Sequence, residues 1–149
     1  MEQEIIKAIN TIFTGVDERD WRKVESAMAD RILIDYTSMN GGEPLTQTPA
    51  EVTGAWAAFL PGFDRTKHTT SDFDVKINDQ VASVHYYGRG DHYIGEEVWT
   101  AEGTFDTGLK LINGRWLVTD HKFNFGSQSG NVQLPARAGE IVKKKSLSH

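Results

Sequence analysis

The sequence predicts an α+β fold, in which helices from the first half lie on a strongly curved antiparallel or mixed sheet built mostly by the second half. Three observations predict it. Apolar residues recur at helical spacing through the first 60 or so positions, the period then changes to two, and tight-turn dipeptides join the strand-like runs that follow.

The elements follow in order. Residues 2–14 read as an amphipathic helix, with Ile5, Ile9, Ile12 and Phe13 on one face and Gly15 placed to stop it. Asp20 is a plausible N-cap for a short second helix carrying Trp21, Val24 and Met28 on one side. Residues 32–39 are β-branched enough for a strand, which Gly41, Gly42 and Pro44 then break. Thr48-Pro49-Ala50-Glu51 is a capping box with proline at the first helical position, and Val52, Trp56, Phe59 and Leu60 continue as a stripe that Pro61-Gly62 ends. Val75 and Ile77 alternate, Asn78-Asp79 turns, and 81–87 reads as the returning strand. Residues 96–112 and 115–125 are two longer strands joined at Asn113-Gly114, a strong hairpin signal. From Gly126 the chain is rich in Gly, Ser and Gln. It is expected to be an extension or tail beyond a domain of residues 1–126, one that a partner subunit could order. A sheet curved this strongly makes a half-open cone whose mouth the three helices cover, enclosing a pocket.

Composition bounds the function. A chain of 149 residues suits one domain, and it can bury roughly 70% of its unfolded surface. The absence of cysteine excludes disulfides, zinc–thiolate sites and a cysteine nucleophile. A formal charge of −5 draws no nucleic acid, and Lys143-Lys144-Lys145 reads as a solvated run. No apolar stretch reaches membrane-spanning length and the acidic N-terminus lacks the basic start of a secretion signal, so the expected location is cytoplasmic.

Chemistry near neutral pH points to histidine. His68, in Thr66-Lys67-His68-Thr69-Thr70, enters a strand just after the third helix, and Asp17 ends the first helix–turn segment. Two accounts stand on the residues alone. His68 is a satisfied strand histidine and Asp17 a helix cap, or His68 is a base and Asp17 the carboxylate that orients it. His85, His92 and Asp91 match no ligand spacing, so no metal site is expected. His121 sits in the last strand with a structural and a functional role equally open, and the terminal His149 is set aside. Gly88-Arg89-Gly90 lacks a following helix pattern and reads as a loop rather than a phosphate cradle. Trp56, Phe59, Phe63, Tyr87, Trp99 and Phe123 are the candidate pocket lining, which would suit a small, ring-shaped, moderately polar molecule.

Four segments carry a resemblance. Gly15-Val16-Asp17-Glu18-Arg19 followed by Asp20-Trp21, the strand segment Ile34-Asp35-Tyr36-Thr37-Ser38, Thr66-Lys67-His68, and His92 seven residues beyond His85 together resemble the SnoaL-like branch of the nuclear transport factor 2-like superfamily. Scytalone dehydratase and hexachlorocyclohexane dehydrochlorinase belong to that branch, and the likeness runs over roughly residues 3–125. The resemblance implies an Asp17–His68 dyad as general base, Tyr36 polarising a carbonyl oxygen and His92 as acid for a departing hydroxyl. It implies a lyase of the dehydratase type or an isomerase that requires no metal or organic cofactor, and association as a homodimer or homotrimer. Where the dehydratase has a second tyrosine this chain has Val16, its late-strand serine and asparagine fall near Gly103 and Phe105, and the dehydrochlorinase's first-helix lysine falls near Ile12. The substrate therefore stays open. A binding domain that holds a small hydrophobic ligand is the alternative, and it has no need of a carboxylate on a buried histidine. Asp35 as the base is a third possibility. Strand alternation sends Asp35 and Tyr36 to opposite faces, which favours Tyr36 for the site.

Overall fold

The computed structural model describes residues 1–147, so His149 lies outside the described residues. Helix α1 spans Glu2–Glu18 and buries Ile5, Ile9, Ile12, Phe13 and Val16. Each fully buried aliphatic side chain stabilises by about 1.5–3 kcal/mol, so this stripe outweighs any intrinsic helix propensity. Gly15 does not stop the helix. It lies where α2 (Trp21–Ser26) crosses, and a Cβ there would sit 2.7 Å from Val24 Cγ2. The glycine serves close helix–helix approach, and Arg19 at φ 58° ends the helix instead. Asp20 caps α2 by accepting from the Lys23 N–H, as its position predicts.

Strand β1 is Met28–Asp35, four residues earlier than the expected 32–39. At Tyr36 the chain leaves the sheet for the one-turn α3 (Thr37–Asn40), because the Asp35 carboxylate accepts from both the N–H and the hydroxyl of Thr37. The short β2 (Leu45–Gln47) follows, then α4 (Pro49–Ala57) with both bonds of its capping box formed, then a 3-10 turn at Leu60–Gly62. The remaining strands are long: β3 (Arg65–Asn78), β4 (Val81–Ile94), β5 (Glu97–Ile112) and β6 (Arg115–Gly130). Asn113 and Gly114 both hold positive φ, 51° and 80°, as a two-residue hairpin requires.

These strands form one mixed sheet in the order β2-β1-β6-β5-β4-β3, with β1 parallel to β6 and every other pair antiparallel. Register shifts break the β3–β4 ladder between Ser71 and Asp74 and the β5–β6 ladder in two places. Bulges of this kind bend strands and increase twist, which curls the sheet around its helices. The core lies inside that curl, between the concave face and α1, with Tyr86, Phe105 and Phe13 in ring contact at its centre.

Two expectations change. Gly88 and Gly90 are not in a loop; they sit in the middle of β4, paired with Gly103 and Ala101 of β5. The segment after Gly126, expected as an extension or tail, is built into the fold of this chain: it completes β6 and then forms α5 (Leu134–Leu147). Leu134 and Ala138 of α5 are fully buried, and the helix packs so closely on the 3-10 turn that a Cβ on Gly62 would meet the Ala138 carbonyl. Its weak apolar stripe, mostly alanine and single aliphatics, hid it from periodicity. Among the described residues no helix is long and apolar enough to cross a membrane.

Candidate active site

A cavity of about 190 Å³ opens between the concave face of the sheet and the helices. Its walls come from α1 (Phe13, Val16), β3 (His68), β4 (Gly88, Gly90, His92), β5 (Trp99, Phe105) and β6 (Phe123), and Tyr36, Trp56 and Phe59 stand toward the helical side. A dry apolar cavity of about 150 Å³ accommodates benzene, so this one suits a single substituted ring.

Strand β3 presents Thr66, His68 and Thr70 inward at successive even positions. The last turn of α1 brings Asp17 to meet them. Asp17 Oδ1 lies 2.7 Å from His68 Nδ1, Oδ2 accepts the His68 backbone N–H at 2.7 Å, and Oδ1 also accepts the Thr66 hydroxyl at 2.9 Å. The Thr66 oxygen receives Arg19 Nη1 at 2.9 Å in turn, while Arg19 Nη2 donates to the Leu60 carbonyl. One carboxylate therefore holds both the ring and the backbone of His68, and an arginine ties that knot to the 3-10 turn. Burial acts to raise the Asp17 pKa, but the His68 hydrogen bonds and charge, with the Thr66 bond, leave it below the ordinary 3.8. An ionised Asp17 accepts at Oδ1, so the proton between the pair sits on Nδ1 and Nε2 keeps its lone pair. Asp17 itself does not line the cavity; it stands behind the histidine.

The two β4 glycines make room for this arrangement. A Cβ on Gly90 would sit 2.9 Å from His92 Cε1 and 3.1 Å from His68 Nε2. A Cβ on Gly88 would strike the Phe105 ring at 2.2 Å. A glycine-x-glycine inside a strand is thus a sign of a cavity wall, a signal present in the sequence.

His92 meets His68 edge to face, with centroids 5.6 Å apart. Its Nδ1 donates to the Trp99 carbonyl at 3.1 Å. Burial, reinforced by the charge of His68, pushes its pKa down to about 4. Its one proton in the neutral form is committed to that carbonyl, which leaves Nε2 as an acceptor.

Tyr36 lines the cavity and its hydroxyl lies 3.1 Å from His121 Nε2. Burial raises the Tyr36 pKa, so the phenol stays protonated. His121 is itself 1% exposed and burial pushes it down to about 4, leaving it neutral. Trp116 and Val118 point inward on even positions, whereas His121 and Phe123 do so on odd ones, because the β5–β6 register shift absorbs Thr119.

Of the residues expected at the site, His68, His92, Tyr36, Trp56, Phe59, Trp99 and Phe123 line one cavity. Phe63 is buried one layer behind, with its ring 5.0 Å from His92 and 6.2 Å from Trp99. Tyr87 is on the other face of β4, next to the inward Tyr86, where its hydroxyl donates to Glu102. His85 shares that outer face, so it and His92 cannot meet at one ion; among the described residues no group of three or more His, Asp or Glu is arranged to hold a metal. Asp35 accepts from Thr37 at the start of α3 and does not line the cavity.

The family model described as a SnoaL-like domain matches residues 1–122. No curated protein matches the chain in sequence. Among solved structures, the Kfla4162 protein of Kribbella flavida superposes with a TM-score of 0.85 at 22% identity, over 91% of this chain and 96% of that one. A protein named as a candidate scytalone dehydratase from Novosphingobium aromaticivorans gives 0.72 at 12% identity over 87% of each chain. A type 2 hexachlorocyclohexane dehydrochlorinase gives 0.72 at 9% identity over 88% of each. At these identities the structures share the nuclear transport factor 2-like cone with this chain.

Proposed function

Because this chain belongs to the SnoaL-like domain family, we propose that it is a small-molecule enzyme of the lyase or isomerase class in which His68 removes a proton from carbon beside a carbonyl. The observation that carries this reading is the 2.7 Å contact between Asp17 Oδ1 and His68 Nδ1 at the wall of an apolar cavity. Asp17 fixes the tautomer and steadies the imidazolium that forms. As Nε2 takes the proton, the C–H electron pair moves into the new double bond and charge gathers on the carbonyl oxygen. Tyr36 donates to that oxygen as the charge develops. Collapse of the enolate then expels a group from the β-carbon with its bonding electrons, giving elimination. If the imidazolium returns the proton to another carbon, the result is isomerisation. Both outcomes share one first step.

That step has a direct test. Single-ring cyclic ketones incubated with the protein in D₂O should exchange their α-hydrogens, followed by proton NMR. His68→Ala should abolish exchange while circular dichroism stays unchanged. Exchange retained in that variant would overturn the assignment. A protein that binds the same ketones but exchanges none is a binding domain, the reading favoured by the apolar lining taken alone. The proposal includes association as a homodimer or homotrimer, for which the exposed Ile77, Val81 and Ile112 at the hairpin ends offer apolar surface; sedimentation at the ordinary monomer mass would remove that part.

A further inference from the structure

Behind Tyr36 lies a line of buried polar groups that the proton abstraction does not use. Tyr36 Oη is 3.1 Å from His121 Nε2, His121 Nδ1 is 3.1 Å from Thr107 Oγ1, and Thr107 Oγ1 is 2.8 Å from Tyr86 Oη. Tyr86 is fully buried, and Thr107 and His121 are 2% and 1% exposed. Among the described residues neither the Tyr86 hydroxyl nor the Thr107 hydroxyl has another partner.

The protons can then be counted. Thr107 has one proton and two neighbours. If it donates to Tyr86, the fully buried Tyr86 hydroxyl has no protein acceptor among the described residues for its proton, which costs the desolvation of that donor. If it donates to His121 Nδ1, then Tyr86 donates to Thr107 and every buried donor is used. A neutral His121 that accepts at Nδ1 carries its proton on Nε2, and that proton goes to Tyr36 Oη. The Tyr36 O–H is left over, on a side chain that lines the cavity. The remaining arrangement, with His121 protonated on Nδ1, strands either the Thr107 or the Tyr86 proton.

We infer that Tyr86, Thr107 and His121 form a directed hydrogen-bond relay that turns the Tyr36 hydroxyl proton into the cavity, as a donor aimed at a carbonyl, enolate or phenolate oxygen of the ligand. The chain runs donor to acceptor in one direction, so each bond polarises the next and strengthens the final donor. His121 is a positioning residue here: it touches no ligand and acts through Tyr36. The relay narrows the ligand to a single ring that bears an acceptor oxygen, since a hydrocarbon or halocarbon would leave the turned-in donor unmet. This deepens the proposed reaction and rests on it only for the role of Tyr36.

The test needs no substrate. Long-range ¹H–¹⁵N NMR of the labelled protein should report His121 in the Nε2–H tautomer. An Nδ1–H tautomer would overturn the relay. Its second arm uses 4-nitrophenolate as an oxyanion probe, followed by its visible absorption at a pH where the free phenol is ionised. Tyr36→Phe should weaken binding by about 10- to 100-fold, the usual worth of a hydrogen bond to a charged oxygen. Thr107→Val, which keeps the shape and removes the hydroxyl, should weaken it by a smaller factor and make the second His121 tautomer visible. Unchanged affinity and a pure Nε2–H tautomer in Thr107→Val would mean that the relay does not set the proton. The tautomer is independent of turnover: Nε2–H without ketone exchange sinks the enzyme and leaves the relay, and exchange with Nδ1–H does the reverse.

Discussion

Two aspartate–histidine pairs of the same contact length lie in very different places: His68 of β3 meets Asp17 of α1, and His85 of β4 meets Asp106 of β5. Asp17 and His68 meet at 2.7 Å with side-chain exposures of 23% and 17%; Asp106 and His85 meet at 2.7 Å with 52% and 54%. The first pair faces an apolar cavity through His68, while the second sits on the outer face of the sheet beside Asp74 and Asp120. The difference teaches that contact geometry does not make a catalytic pair. An exposed pair is screened by water and salt and is worth little, whereas a partly buried one holds its tautomer and presents its lone pair to whatever fills the cavity.

The comparison can be broken most sharply by deleting each histidine. His68→Ala should reduce α-hydrogen exchange by about 10²–10⁴-fold, the usual worth of a positioned base. His85→Ala should leave the rate within about twofold, because a screened surface pair adds at most about 1 kcal/mol to stability. A comparable loss in both variants would erase the distinction. Next in size is Asp17→Asn, in which the amide can donate to Nδ1 and drive the proton to Nε2. The rate should fall, and ¹⁵N NMR should show the opposite His68 tautomer; Asp106→Asn should change neither.

Gly90→Ala tests the cavity wall. Its Cβ would sit 3.1 Å from His68 Nε2, so both imidazoles must shift and exchange should drop with little loss of melting temperature. Gly88→Ala should instead destabilise by about 1–3 kcal/mol through overpacking against Phe105. Equal stability of the two variants would contradict the packing. The smallest effect is in acid. Asp17 and Asp106 both titrate below 3.8 in the folded chain, so each adds stability that is present above the unfolded value and lost as pH falls through the folded one. Below about pH 4, Asp17→Asn should flatten the acid limb of stability more than Asp106→Asn does, and added salt should shrink only the Asp106 contribution.

Much of this was legible in the residues. The capping box at Thr48–Glu51, the Asn113-Gly114 hairpin, the α1 stripe and the α+β class all rest on local chemistry, and each is present in the structure. The candidate site was legible in outline. Tyr36, His68 and His92 share a cavity, and Asp17 stands behind the histidine. Strand parity already separated Tyr87 from Tyr86 and His85 from His92, had the strand been extended past residue 87. The inward turn of His121 was hidden, because a bulge that absorbs Thr119 resets the parity of β6 and no local pattern announces it. Helix α5 was hidden for a different reason: only two of its residues are buried, and it is held by the 3-10 turn rather than by its own periodicity.

By itself the sequence determined α1, α2, α4, the hairpin at Asn113-Gly114, the class of fold and the segments that bear titratable groups, since capping, turn chemistry and apolar period act over a few residues. Tertiary structure alone decided which groups face one another. It joined the end of α1 to the start of β3, committed the His92 Nδ1 proton to the Trp99 carbonyl, and laid Tyr86, Thr107, His121 and Tyr36 in one line. Those relations depend on register, burial and the count of protons in a buried interior, and residues far apart in the chain settle them together.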